Sequence, residues 1–227
     1  MGNKLRNAPV KCVIFDLDGT LVDTVDDLGL ACDSLLKNKG ITPQWTKDDY
    51  KAFVGNGAKL LVKRAFSGML SEEELDEQYA LFKKKYGEIK LDHAYVYSGM
   101  AEVVRTLKEK GIKLAVCTNK PDAAAVGMAE HFFGSDTFEI VRGALDGVPK
   151  KPDPTLANEI AGLLGVNADE CVWIGDSAVD IESAQNFGCE CIAVTWGFRS
   201  RENLLERDPD YIIENPKDIL KILNFKY

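Results

Sequence analysis

Short β-branched apolar runs alternate along this chain with longer stretches in which apolar residues recur every three or four positions. The runs at 11–15, 112–117, 138–141, 171–174 and 191–195 have the length and composition of buried strands, and 211–213 adds a candidate edge. Between them lie helical patterns with readable ends. Residues 100–110 carry Val103, Val104 and Leu107 on one stripe and stop at Gly111. Further on, Asp153 is a candidate cap with Pro154 as the first helical residue. Leu156, Ile160, Leu163 and Leu164 point inward, and Gly165 follows the end. Strands alternating with single helices predict an α/β fold, a doubly wound parallel sheet of Rossmann-like type.

One stretch breaks that alternation. From 22 to 92 only helical periodicity is present. Val25, Leu28, Cys32, Leu35 and Leu36 form a stripe closed by Gly40. Thr46 with Asp49, and Ser71 with Glu74, have capping-box spacing. After Ser71, Leu75, Tyr79, Phe82 and Tyr86 recur at steps of three and four, while Glu72 to Glu74 and Lys83 to Lys85 suit the two ends of a helix dipole on a solvated face. The expected organisation is an α/β catalytic core, 1–21 and 93–227, with an all-helical cap at 22–92 spliced in after the first strand.

Composition narrows the class. The 227 residues carry 28 basic and 36 acidic side chains, a net charge of −8, which argues against sequence-independent nucleic-acid binding. No segment approaches the roughly 18 apolar residues of a membrane span. The start, Met1 to Pro9, lacks the apolar stretch of a signal peptide, and Arg6 stands where a myristoylation signal needs Ser or Thr. The six cysteines are scattered, and Cys189 with Cys191 has no second pair to complete a metal site. A cytoplasmic protein, monomeric or weakly dimeric, with no nucleic-acid or membrane partner, is expected.

Polar clusters follow three of the apolar runs. Phe15 leads into Asp16-Leu17-Asp18-Gly19-Thr20, Cys117 into Thr118-Asn119-Lys120, and Ile174 into Gly175-Asp176-Ser177 with Asp180 close behind. Open parallel sheets bind ligands outside the carboxyl ends of their strands, so these clusters should share one crevice. Asp16, Asp18, Asp176 and Asp180 would crowd like charges there, which requires a cation or raised pKa values. Oxygen-only ligands suit Mg²⁺. Thr118 and Asn119 precede Pro121, a good first helical residue, so their donors should lie near a helix N-terminus. Lys151 and Lys150 compete to place a charge in the crevice, and the Pro152 that follows favours Lys151. Carboxylates, a divalent cation, a lysine and helix-end donors describe a phosphoryl-transfer site. In such a site an ionised Asp can attack phosphorus while a second carboxyl group shuttles the proton.

These residues resemble the haloacid-dehalogenase-like hydrolases. Asp16-Leu17-Asp18-Gly19-Thr20-Leu21-Val22-Asp23-Thr24 looks like the family's signature loop. Thr118-Asn119, Lys151-Pro152 and Gly175-Asp176-Ser177-Ala178-Val179-Asp180 are similar to its other three motifs, in order. The resemblance implies Asp16 as nucleophile and Asp18 as acid/base, with Mg²⁺ on Asp16, Asp176 and the Asp18 carbonyl, supported by Asp180. It further implies that Thr118, Asn119 and Lys151 grip the phosphoryl group of a small phosphomonoester. Asp18 itself argues against the dehalogenase branch. Val54-Gly55-Asn56-Gly57-Ala58 and Val116 to Pro121 resemble the branch acting on 2-phosphoglycolate, with Gly55, Asn56 and Gly57 as a substrate-facing loop. A phosphotransferase such as a sugar-phosphate mutase, a pyrophosphatase and, more remotely, a non-enzymatic phospho-aspartate module are the alternatives on the same residues. Arg199, Arg201, His93 and His131 match no motif and are expected in surface or structural positions.

Overall fold

The computed structural model describes residues 9–224; Met1 to Ala8, which were read above for a leader or an acyl anchor, lie outside them. The chain begins with β1 (Cys12–Phe15), β2 (Val22–Asp23), α1 (Val25–Asn38), α2 (Lys47–Phe53), α3 (Ala58–Ala65), α4 (Glu72–Ile89) and β3 (Tyr95–Val96). It continues with α5 (Met100–Glu109), β4 (Lys113–Pro121), α6 (Asp122–Phe133), β5 (Ile140–Ala144) and α7 (Thr155–Leu164). The last elements are β6 (Cys171–Gly175), α8 (Ala178–Phe187), β7 (Glu190–Val194), α9 (Arg201–Leu205), β8 (Tyr211–Ile213) and α10 (Asp218–Ile222).

Six strands form one parallel sheet in the order β5-β4-β1-β6-β7-β8. Its two faces follow the period of two in a strand. Val13 and Phe15 join one apolar cluster with Met100, Val103 and Leu107 of α5 and Ala125 and Met128 of α6. Cys12 and Ile14 join another, with Leu156 and Ile160 of α7 and Ile181 and Ala184 of α8. Helices therefore cover both faces, the Rossmann-like doubly wound arrangement. The strand order reverses about β1, so the crevice at its carboxyl end is bounded by the ends of β4 and β6. Among the described residues no helix is long and apolar enough to cross a membrane, and all six cysteines are free thiols.

Helices α1–α4 have an apolar cluster of their own, with Leu35, Leu61, Phe82 and Tyr86 in it. Both capping boxes form, Thr46 with Asp49 and Ser71 with Glu74. In the last of these helices Leu75, Phe82 and Tyr86 are buried, with Gln78 alongside them and Tyr79 only half-buried. The helical stretch is entered and left through β2 and β3, an antiparallel pair matching Val22 to Val96 and Asp23 to Tyr95. Periodicity over two residues is too short to show in a sequence.

Three local differences from expectation have plain causes. β4 runs on through Thr118, Asn119 and Lys120 because its pairing with β5 resumes at Pro121 after a shift in register. Pro121 consequently keeps an extended ψ of 134° and precedes α6 instead of starting it. α7 begins one residue late, at Thr155, whose N–H and hydroxyl both donate to Asp153. Leu163 is 61% exposed; the inward stripe is Leu156, Ile160 and Leu164, each four residues apart.

Candidate active site

Asp16 follows directly on four wholly buried apolar side chains of β1. At about 1.5–3 kcal/mol each, their burial offsets the several kcal/mol that holding a carboxylate out of water costs. Asp176 stands just past the end of β6 and Asp180 in the first turn of α8. Side-chain oxygens of Asp16, Asp176 and Asp180 all lie within 4.8 Å of one another, and all three residues are buried. Glycines make the room. A Cβ at Gly19 or at Gly197 would come within 2.4 Å of Asp176 Oδ2, and one at Gly175 within 2.2 Å of Asp180 Cγ.

Each carboxylate is held differently. Asp176 accepts from Thr20 Oγ1 at 3.1 Å and from the Phe198 N–H at 2.7 Å. Asp180 closes the capping box of α8, accepting from the N–H and hydroxyl of Ser177 on one oxygen. Its other oxygen takes Trp173 Nε1 and Lys151 Nζ, the latter at 2.7 Å. Lys151 Nζ also lies 2.8 Å from Asp16 Oδ1, but off the hydrogen-bond direction, so that buried oxygen has no donor aimed at it. Burial alone would lower the Lys151 pKa; Asp16 and Asp180 outweigh burial and raise it, so the ammonium persists. Lys150, its competitor, is exposed and reaches over the loop at Gly57.

Asp18 faces elsewhere. Its carboxylate accepts from Thr24 Oγ1 at 2.8 Å and from Lys120 Nζ at 2.9 and 3.2 Å, and its side chain is not part of the carboxylate cluster. Lys120 is buried and donates in addition to Tyr86 OH at 2.6 Å, its ammonium lying 4.8 Å from that ring's centre. Burial pushes the Tyr86 phenol up to about 12. Sequence reasoning passed over Lys120 as a site residue; a lysine flanked by buried positions at a strand end was the available signal.

Thr118 is buried at the head of this cluster. The Asn119 side-chain amide donates to the carbonyls of Gly55 at 3.1 Å and Lys151 at 3.2 Å, while its Oδ1 is buried without a donor. A cavity of about 310 Å³ is lined by Asp16, Asp18, Thr118, Asn119, Lys120 and Lys151 from the sheet side and by residues of α1, α3, α4 and the loop before α3 from the other. Gly55 and Gly57 line it with positive φ of 116° and 95°, whereas Asn56 is exposed and its Oδ1 accepts from Arg64. Arg199, in the loop after β7 as expected and half-exposed, also donates to the carbonyls of Lys51 and Val54 and so ties down the end of α2 and the start of that loop. His93 is a clasp: its N–H and Nδ1 engage the wholly buried Asp27 of α1.

The carboxylate cluster fits a divalent cation. Burial, then Asp180 and Asp16, push the Asp176 carboxyl up to about 8, and burial with Asp180 pushes Asp16 up to about 6 against the pull of Lys151. A set of carboxylate oxygens with neither imidazole nor thiolate suits a hard ion of the Mg²⁺ type. In metal-free protein these groups hold protons that the unfolded chain releases. Their stabilisation is therefore full below the ordinary carboxyl range, near 3.8, and is lost as pH rises towards 8. A cation displaces those protons, so the rise in Tm on adding Mg²⁺ to chelator-treated protein should be larger at about pH 8 than at about pH 5.5. Equal rises at both values would count against metal binding by this cluster.

Residues 13–194 match the family model described as haloacid dehalogenase-like hydrolase. Phosphoglycolate phosphatase 1 of Pseudomonas aeruginosa is 34% identical over 218 residues, 92% of this chain and 78% of that protein. The phosphoglycolate phosphatase of Aliivibrio fischeri is 31% identical over 225 residues, 95% of this chain and 97% of that one. A solved structure of a Lactobacillus delbrueckii subsp. bulgaricus protein, assigned as a phosphoglycolate phosphatase, superposes with a TM-score of 0.89 at 30% identity, covering 95% of this chain and 99% of its own. With the motifs at the ends of β1, β4 and β6 drawn into one crevice, the chain belongs to the haloacid dehalogenase-like hydrolase family, as a phosphoric monoester hydrolase.

Proposed function

We propose that this protein is a Mg²⁺-dependent phosphatase that hydrolyses 2-phosphoglycolate to glycolate and phosphate through an aspartyl-phosphate on Asp16. The observation that carries the reading is the buried Asp16 Oδ1, which lies beside the Lys151 ammonium, on the cavity wall, with no hydrogen bond directed at it. In the first half-reaction Asp16 attacks phosphorus and the alkoxide leaves with a proton that Asp18 must have taken up by the time the substrate is bound. In the second, Asp18 takes a proton from water, the water oxygen attacks phosphorus, and Asp16 is released with inorganic phosphate. Lys151 and the Thr118 hydroxyl grip the phosphoryl oxygens. Asn119 fixes two backbone carbonyls, those of Lys151 and of Gly55, so it positions the lysine and the loop together. Asp16, Asp176 and the Asp18 carbonyl would hold the cation, with Asp180 in support, and its chemistry there is to neutralise charge on the phosphoryl group.

Helices α1–α4, residues 22–92 with their connections, act in this reading as a lid that excludes water while the phosphoenzyme forms. A second reading, transfer to a bound sugar hydroxyl, is favoured by the cavity's size, about 310 Å³, which exceeds the needs of a two-carbon acid. The test is Mg²⁺-dependent phosphate release from 2-phosphoglycolate, hexose phosphates, nucleotides and pyrophosphate. A kcat/KM for 2-phosphoglycolate at least about tenfold above the rest is expected for a site with charged contacts to its substrate. Flat, feeble rates across the panel would retire this substrate. Phosphorylated product formed without oxygen from labelled water would establish transfer.

A further inference from the structure

We propose that Lys120, together with Tyr86, selects substrates that carry a second anionic group, by taking that group's carboxylate at the cavity wall. The inference rests on the phosphatase reading above and names what distinguishes one phosphomonoester from another. Two buried ammonium groups line the cavity, Lys151 and Lys120. Lys151 is committed to Asp16 and Asp180 at the phosphoryl end. Lys120 touches the phosphoryl chemistry only through the Asp18 carboxylate, and it is held in the same cavity with its side chain 2% exposed. Keeping an ammonium there carries a desolvation penalty that a partner anion must offset. In the substrate-free protein that anion is Asp18.

A carboxylate arriving with a small phosphomonoester would find few alternatives. Leu28, Leu61, Phe82, Ala123 and Ala124 make the neighbouring wall apolar, and of the remaining lysines on the cavity Lys83 is exposed and Lys90 half-exposed, so neither is a desolvated ammonium like Lys120. Lys120 has three N–H donors: one reaches Tyr86, and one shared between the two Asp18 oxygens accounts for both contacts there, which leaves the third for an arriving carboxylate. Because the Tyr86 oxygen accepts from Lys120, the phenol's own proton remains to donate to a second acceptor. Ammonium and phenol thus form a two-donor fork made by one core strand, β4, and one helix of the insert, α4. The Lys120–Tyr86 bond already ties β4 to α4, and a carboxylate on the fork would add a second tie through the substrate. Ring stacking of Phe82 on Tyr86, with centres 5.5 Å apart and planes 9° from parallel, orients the phenol.

The experiment compares 2-phosphoglycolate with ethyl phosphate, which keeps the phosphoryl ester and replaces the carboxylate by a methyl group. Wild-type protein should favour 2-phosphoglycolate in kcat/KM by roughly 10–100-fold, the range of a charge-assisted contact. Lys120→Met should bring that ratio close to one, and Tyr86→Phe should lower it by a smaller factor. Should Lys120→Met fail to fold, binding to wild-type protein and to Tyr86→Phe together decides, the variant being expected to narrow the wild-type difference. The non-hydrolysable pair 3-phosphonopropionate and propylphosphonate should differ in Kd by a similar factor in calorimetry. Equal kcat/KM for both esters in the wild type, or a ratio unchanged in Lys120→Met, overturns the role of Lys120 and leaves the phosphatase reading standing. Hydrolysis of neither ester, with other phosphomonoesters turned over, overturns the substrate reading and this role together.

Discussion

Replacing Asp16 by Asn removes turnover and leaves the fold in place. The expected loss in kcat is about 10⁴-fold or more, as when an essential covalent nucleophile is lost, because the amide cannot attack phosphorus. Stability should barely change, and two opposing terms explain why. The neutral amide relieves the burial cost and the repulsion from Asp180 that push the Asp16 carboxyl up to about 6. It also takes one of two anionic partners from Lys151, which still keeps Asp180 at 2.7 Å. Thermal melting and steady-state phosphate release on the same preparation check both halves. Activity within about tenfold of wild type would remove Asp16 from the nucleophile's role.

Lys151→Met has the larger structural effect. The ammonium is the buried cation between Asp16 and Asp180, its side chain 3% exposed, and Met occupies similar volume without charge. Truncating one partner of a buried ion pair costs about 3–5 kcal/mol because the other charges are left uncompensated. For a chain of this size that lowers Tm by roughly 10 °C. Part of the loss should return with Mg²⁺, since the same carboxylates gain a cation, and the Tm gain with metal should exceed that of the wild type. Activity should fall in KM and kcat together, because Lys151 would grip the phosphoryl group both before and during transfer. A variant with unaltered melting in chelator would show that the three carboxylates do not depend on Lys151.

The core was readable because burial and chemistry are separated along each strand. Val13, Ile14 and Phe15 fill both faces of the sheet, and the polar residues begin where the apolar run stops, at Asp16; Ile174 and Asp176 repeat the arrangement. Cap spacing made Thr46 and Ser71 equally plain, since a capping box lies within four consecutive residues. What escaped the sequence depends on contacts between distant segments. Lys120 meets Asp18 across 102 positions and Tyr86 across 34, and only the packing of α4 over the end of β4 brings them together. Arg199 reaches Lys51 and Val54 over 148 and 145 positions, which no local pattern encodes. Leu163 misled because it is apolar and adjacent to the true inward residue Leu164, yet lies off the four-residue spacing of Leu156, Ile160 and Leu164.

The orientation of the Asp18 carboxylate belongs to the same class. Spacing placed it two residues from Asp16 and therefore in the crevice, but not towards Thr24 and Lys120 and away from the other carboxylates. In the proposed reaction that division would let one residue serve the proton transfers through its side chain and the cation through its main-chain carbonyl.

The most direct test is covalent. Protein mixed with 2-phosphoglycolate and Mg²⁺, quenched in acid within a single turnover and digested, should yield a peptide spanning Asp16 that carries the mass of one phosphoryl group. The label should be lost on treatment with hydroxylamine, as an acyl phosphate requires, and be absent from Asp16→Asn. Turnover that continues with that peptide unmodified at every quench time, or a phosphoryl group found on another residue, would contradict the account.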